Sequence, residues 1–259
     1  MGNRITMIGS GNLASHLAPA LENAGHFVNE VYSRNPSSAK NLCSMLYNAA
    51  QVSSLNFSQS TSTIFIIVVS DDAIEEVSAQ ITLPPNGILL HTSGTKSISI
   101  LSCFEHFGSL YPLQTFTKRK KVSWEDIPIL TEGSDEETAK LILALAKSIS
   151  TKAFQASEEK RKLIHLSAVF SANFANHLLY MAKSMLDEDD IDFTILKPLL
   201  SETLKKAFEI DPIKAQTGPA VRKDISTIRD HLKILDNKED FKKIYKDITE
   251  NIIKVHSQS

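Results

Sequence analysis

The sequence predicts a two-part α/β protein, in which a doubly wound parallel sheet is followed by an all-helical region. Three observations carry this reading. Residues 4–14 read Arg-Ile-Thr-Met-Ile-Gly-Ser-Gly-Asn-Leu-Ala, an apolar strand running straight into Gly9-x-Gly11-x-x-Ala14. The first half then alternates short apolar runs with helical patterns, the signature of βαβ units. Beyond residue 155 the spacing of apolar residues is helical throughout. The expected division is a Rossmann-type, dinucleotide-binding domain over 1–155 and a helical domain over 156–259.

Each element has a local reason. Ile5–Ile8 is the first strand, and Asn12–Ala24 the first helix, stopped by Gly25. Pro19 should kink that helix. Val28–Tyr32 is the second strand, followed by a helix from Pro36 to about Tyr47. Thr63–Val69 is a continuous β-branched run, as expected of a strand buried on both faces. Asp71–Gln80 reads as a helix with an acidic first turn, and Pro84–Gly87 as a turn. Strands follow at Ile88–His91, Gly108–Tyr111 and Ile127–Thr131, then a helix from about Asp135 to Ser150 and a strand near Lys152–Gln155. Glu158–Leu186 has no Gly or Pro, and one helix of about 29 residues would span roughly 43 Å. Helices are also expected over Ile191–Phe208, Ala220–Asp236 and Glu239–His256, with a Pro/Gly-punctuated segment at Asp211–Pro219.

Composition narrows the function classes. A net charge of −2 with 22% charged residues argues against a broad nucleic-acid surface. The basic run Lys118-Arg119-Lys120-Lys121 reads as a solvated loop. Cys43 and Cys103 have no partner spacing for zinc or redox work, which fits a reduced cytoplasm. The acidic loop Asp187–Asp190 lacks the glycine and terminal glutamate of a calcium loop, so no metal is expected. Apolar runs are strand-sized, no signal peptide is read, and a formal myristoylation pattern at Met1–Thr6 is discarded because Thr6 belongs to a buried strand. The expected setting is cytoplasmic, with no membrane partner.

The chemistry is concentrated at the ends of the strands. Gly9 permits the tight turn, Gly11 lets the main chain approach a pyrophosphate, and Ala14 lets the helix lie close to the strand. Ser10, Asn12 and Leu13 complete this turn, and the positive end of the following helix faces the anion. An NAD site places Asp or Glu at the tip of the second strand, whereas an NADP site leaves the tip open and supplies Arg. Here the tip reads Ser33-Arg34-Asn35, with Glu30 too early, so NADP is favoured over NAD. Val69, Ser70 and Asp71 close the middle strand, with Asp71 and Asp72 also suited to cap a helix. Thr92 and Ser93 close the next strand, either as polar lining near a nicotinamide or as a cap. Tyr111 and Gln114, on a rigid loop, are candidates to orient a substrate. His165, Val169, Asn173 and Asn176 fall on one helical stripe. His165 is the general-acid candidate, because hydride delivery to a carbonyl or imine carbon needs a proton at the heteroatom. A helix–helix hydrogen-bond network is the alternative for these polar groups. Arg222, in Thr217-Gly-Pro-Ala-Val-Arg222-x-Asp224, is either an anion ligand or half of a pair with Asp224 that fixes the turn.

These motifs occur in one order: Gly9–Ala14, Ser33-Arg34-Asn35, Val69–Ile74, His91-Thr-Ser-Gly94, Tyr111–Phe116, the His165…Asn173 helix and Thr217…Asp224. The set resembles, over nearly the whole chain, the Rossmann-like oxidoreductases with a DUF2520 C-terminal domain, labelled NADP or coenzyme F420-dependent. The resemblance implies the 6-phosphogluconate-dehydrogenase-like superfamily, with pyrroline-5-carboxylate reductase and the β-hydroxyacid dehydrogenases as relatives. It implies NADP as cofactor (NAD or F420 as alternatives), a small-molecule substrate, and a homodimer formed through the helical domain. Two departures stand out. The β-hydroxyacid dehydrogenases pair a lysine with an asparagine four residues later; if Asn173 is that asparagine, Val169 stands at the lysine position. The Gly-Ser-Gly-Pro signature of pyrroline-5-carboxylate reductase is also missing. The first expectation is an NADP-dependent oxidoreductase acting on a small carbonyl, hydroxyl or imine compound at an interdomain cleft. The second is a non-catalytic NADP(H)-binding regulator or sensor.

Overall fold

The computed structural model describes residues 2–118 and 120–257. Its strands are β1 (Arg4–Ile8), β2 (Phe27–Tyr32), β3 (Ala50–Val52), β4 (Ile64–Ile67), β5 (Ile88–His91), β6 (His106–Pro112), β7 (Ile129–Gly133) and β8 (Ala153–Gln155). They form one sheet in the order β3-β2-β1-β4-β5-β6-β7-β8. The first six strands reproduce the doubly wound nucleotide-binding order, which puts the strand-order reversal at β1 and β4. β6 and β7 pair antiparallel, a departure from the all-parallel expectation. The chain between them returns through a loop with no crossover helix among its described residues, which brings β7 back as an antiparallel partner. β3 was not foreseen: it is a three-residue edge strand, too short to show a period.

The helices are α1 (Ala14–Asn23), α2 (Pro36–Cys43), α3 (Ile74–Ser78), α4 (Glu136–Lys147), α5 (Glu158–Ala168), α6 (Ala175–Asp187), α7 (Lys197–Ile210), α8 (Pro212–Ala215), α9 (Ile225–Ile234) and α10 (Glu239–Ser257). On one face of the sheet Ile5, Met7, Ile64, Ile66 and Leu90 pack with Leu17 and Leu21 of α1, Leu42 of α2 and Ile142 of α4. On the other face Ile8, Phe65, Ile67 and Leu89 pack with Ile74 and Val77 of α3 and with Leu101. The alternation along β4, Ile64 and Ile66 to one side and Phe65 and Ile67 to the other, is the pleat of a strand buried on both faces. α1 runs through Pro19 and closes in a Schellman motif, with Gly25 N–H donating to Glu22 O and His26 N–H to Leu21 O.

Three expectations about helices need correction. Asp71–Gln80 is a tight turn of helix at Asp71–Ala73 followed by the short α3. The helix expected from Ala220 begins at Ile225, because Lys223 takes a φ of 55° and Asp224 caps the start by accepting from Thr227 N–H. The long helix after Ser157 is broken by a π-helical turn over Val169–Phe174, so the 3.6-residue period does not run through it.

The chain divides into two compact units, the first running to Ser171 and the second starting at Ala172. The change of sequence texture at residue 155 therefore precedes the division, and α5 belongs with the sheet. Arg119 of the basic run lies outside the described residues. Among the described residues no helix is long and apolar enough to cross a membrane.

Candidate functional site

A cavity of about 690 Å³ opens at the carboxyl ends of β1, β2 and β4. It is lined by Gly9, Ser10, Gly11, Asn12 and Leu13 from the first turn, by Ser33, Arg34 and Asn35 from the tip of β2, and by Val69, Ser70 and Thr92. The two glycines of the turn answer different needs. Gly9 has φ +126°, and a Cβ there would stand 2.2 Å from the Val68 carbonyl oxygen, so the fold itself demands glycine. A Cβ on Gly11 would meet no protein atom within 4 Å. The protein leaves that space open, on the cavity wall, where backbone can approach a ligand phosphate. No side chain caps the N-terminus of α1, which leaves the positive helix end to the cavity.

The tip of β2 is tied to this turn by Ser10 Oγ, which donates to Ser33 Oγ at 2.8 Å. Asn35 is partly spoken for: its Oδ1 caps α2 by accepting from Ser38 N–H at 3.2 Å. The nearby carboxylate is engaged elsewhere through one of its oxygens. Glu30 Oε2 accepts from Thr6 Oγ1 and from Ser60 Oγ, each at 2.6 Å. Arg34 is thus the charged group at the tip of the strand, the arrangement suited to a 2′-phosphate rather than a 2′-hydroxyl. Lys118, from the basic run whose composition suggests a solvated loop, also lines the cavity. His16 Nε2 on α1 is 2.9 Å from the Thr117 carbonyl oxygen, which holds that loop over the helix.

Two of the expected cofactor residues do not line the cavity. Asp71 Oδ2 accepts from Thr95 Oγ1 at 2.6 Å. Ser93 Oγ accepts from Thr95 N–H at 3.1 Å and from Lys96 N–H at 3.0 Å, the cap alternative for this residue. This turn is anchored by Arg161, a residue outside the set of candidates drawn from sequence. Its fully buried guanidinium donates to the carbonyls of Ser93 and Lys96 and to Glu132 Oε2, at 3.0, 2.7 and 2.9 Å. Removing one partner of such a buried pair typically costs about 3–5 kcal/mol. The spacing Arg161-x-x-x-His165 was a usable signal, because i and i+4 share a helix face; its partner Glu132 on β7 was not legible. His91, fully buried beside this cation, has a pKa lowered to about 4, first by burial and then by Arg161.

On the same sheet face as Ser109 and Glu132 lies Tyr111. Tyr111 Oη and His165 Nδ1 share a hydrogen bond at 2.9 Å, with the rings edge-on. Burial, then the Asp71 carboxylate, pushes the Tyr111 phenol above its ordinary value, opposed by Arg161. Gln114 is exposed, and its Oε1 turns back to accept from Thr115 N–H at 2.8 Å. Asn173 in the π turn and Asn176 in α6 are exposed, as is Arg222. Asp224 gives both carboxylate oxygens to Thr227 and Ser226 as the cap of α9.

A doubly wound sheet, a phosphate-sized glycine turn and an arginine at the tip of β2 define a nicotinamide-dinucleotide-dependent protein. The family described as NADP oxidoreductase, coenzyme F420-dependent, matches residues 4–92, and the domain of unknown function DUF2520 matches residues 127–252. A Bacteroides fragilis structure described as a "putative NADP oxidoreductase" is 32% identical over 98% of both chains, with a TM-score of 0.90. The chain belongs to this family of NADP-dependent oxidoreductases. A Thermotoga maritima protein is similar at 22% identity over 98% of both chains, with a TM-score of 0.72. So is a reductive aminase from Aspergillus terreus solved with NADPH and ethyl levulinate, at 14% identity, TM-score 0.73, over 98% of this chain and 94% of that one. These last two similarities show the fold alone. No match was found among curated proteins.

Proposed function

We propose that this chain moves hydride between NADP(H) and a small carbonyl, hydroxyl or imine compound. The observation that carries the proposal is Gly11: a glycine that the fold does not need, on the wall of a cavity whose charged rim is Arg34. Backbone amides from Gly9 to Leu13 would hold the pyrophosphate. Arg34, with Ser33 and Asn35, would hold the 2′-phosphate through charge-assisted hydrogen bonds. Val69, Ser70 and Thr92 would line the nicotinamide side, with Asp71 and Ser93 shaping the turns behind them. When bound, the cofactor supplies or accepts the hydride. His165 would be the source of the accompanying proton, Asn173 and Asn176 would orient the substrate, and Tyr111, Gln114 and Arg222 would contact it. The likeness to reductive aminases supports including imines among the substrates. We also propose a homodimer formed through the helical unit. A cytoplasmic setting suits two cysteines that form no disulfide with each other.

Calorimetric titration with NADPH and NADH tests the cofactor site. Tight NADPH binding that weakens about 10–100-fold in Arg34→Ser, with NADH binding unchanged, is expected from losing a charged hydrogen-bond pair. NADPH oxidation is then followed against 2-oxo acids, a cyclic imine, ethyl levulinate with a primary amine, and oxidised coenzyme F420. Binding with no turnover on any of these would favour a regulatory NADP(H) binder. Failure of both nucleotides to bind at millimolar concentration would end the proposal.

A further inference from the structure

We propose that Tyr111 is a catalytic acid of this protein and that His165 reloads it, the two side chains acting as one proton-delivery unit. This rests on the oxidoreductase reading above and names the group that hands over the proton. Tyr111 lies on β6 and His165 on α5, with Oη and Nδ1 at 2.9 Å and ring centroids 5.8 Å apart. A third residue makes that fit. A Cβ on Gly94 would stand 2.6 Å from His165 Nδ1 and 2.8 Å from the phenol Cζ of Tyr111. Gly94 is not in the left-handed region, so its missing side chain is explained by the pair it admits, not by backbone need. Gly94 follows Thr92 by two residues, and Thr92 lines the cofactor cavity. Neither side chain lines that cavity, but the carboxylate whose charge acts on the phenol, Asp71, directly follows Ser70 on the cavity wall.

A donor must carry its proton at working pH. Burial and the Asp71 carboxylate keep the phenol protonated. The charges acting on it are Asp71, on the turn after β4, and Arg161, one helical turn before His165 and paired with Glu132 on β7. With the imidazole protonated, Nδ1–H donates to Oη and leaves the phenol O–H free to donate to the substrate heteroatom. A bound reduced nicotinamide would supply the hydride and its two electrons to the substrate carbon. The Oη–H bond breaks as an O–H or N–H bond forms on the substrate, and the Nδ1 proton passes to Oη. The phenol is restored, the imidazole is left neutral, and His165, which is only half-buried, regains a proton from solvent.

The test uses the full chain and the variants Tyr111→Phe, His165→Gln and Gly94→Ala. Histidine ring NMR and the ultraviolet absorbance of tyrosinate are followed against pH without substrate. A proton-delivery unit requires linked titrations: Tyr111→Phe moves that of His165, and His165→Gln moves that of the phenol. Titrations that stay in place in both variants overturn the proposal. With NADPH and the fastest substrate of the panel above, Tyr111→Phe and His165→Gln each lower kcat by about 10²–10⁴-fold, with NADPH affinity unchanged. Gly94→Ala, which keeps both groups but forces them apart, lowers kcat and uncouples the titrations. An unchanged kcat in Tyr111→Phe also overturns the proposal. Should no panel member react, the linked titration alone decides the pair. Loss of NADPH binding by the wild-type chain would instead sink the oxidoreductase reading.

Discussion

Gly9 and Gly11 sit two residues apart on one turn, and substituting them should separate folding from binding. Gly9→Ala puts a methyl against the Val68 carbonyl and forces a side chain into φ +126°. Such strain costs about 1–3 kcal/mol before the collision is counted, so this variant should lose stability in a denaturant titration. Gly11→Val places its Cβ where no protein atom lies within 4 Å. It should melt like the wild type yet bind NADPH about tenfold or more weakly, which is about 1.4 kcal/mol. Equal NADPH affinity in Gly11→Val would mean that the cavity does not take the pyrophosphate at this turn. A second prediction concerns pH. His91 has a folded pKa of about 4 against 6.5 for the unexcluded side chain. The unfolded chain therefore takes up the proton first as pH falls. The stability associated with this histidine is fully present above about pH 6.5 and is lost as pH falls towards 4. At 1.36 kcal/mol per unit the loss is about 3 kcal/mol. Urea midpoints at neutral pH and near the acid end should fall steeply for the wild type and more shallowly for His91→Gln; parallel slopes would assign the acid sensitivity to other groups.

The elements that were legible in the sequence are those whose signals are local. β1 with its glycine turn, β4 with alternating faces both apolar, and α4 behind the Asp135 cap all follow from periodicity and capping. The part of the cavity lining at the ends of β1, β2, β4 and β5 was legible for the same reason, whereas Lys118, on the loop after β6, and Val77 of α3 were not. What escaped depends on contacts distant in sequence. β3 exists only as an edge partner of β2, and Arg161 acquires its role through Glu132 and two carbonyls on another strand's turn. Tyr111 and His165 were both singled out, but nothing in the sequence placed them against one another over Gly94. The π turn at Val169–Phe174 was invisible to a 3.6-residue pattern that it interrupts. Deleting Ser171 should convert that turn to regular α-helix and rotate every later side chain on the helix by about 100°. The expected variant keeps its helical circular dichroism and its NADPH affinity, since the cavity residues all precede it, and loses turnover. Undiminished turnover would show that no residue after the π turn takes part in the reaction.

For the molecule as a whole, the second unit has too little interior of its own. Among its described residues only Met181, Ala220, Leu235 and Thr249 are buried. α7 has no buried residue at all, while Leu199 is 64% exposed, Leu204 61% and Phe208 91%. Isolated surface leucines need no explanation, but a helix that leaves such residues uncovered along its length offers the surface that the proposed dimer requires. A stable specific interface buries about 1,200–2,000 Å² in total. A second copy of the chain is the partner that the family resemblance implies. Two copies meeting through this unit would give each the missing half of a core. Sedimentation of the wild-type chain should therefore show a dimer at micromolar concentration, with a melting temperature that rises with protein concentration. The double variant Leu204→Glu/Phe208→Glu should sediment as a monomer and melt lower. It should still bind NADPH, because every residue lining that cavity lies between Gly9 and Lys118. A wild-type monomer whose melting is independent of concentration would leave α7 without a function in self-association, and a double variant that remains dimeric would move the interface to another face of the helical unit.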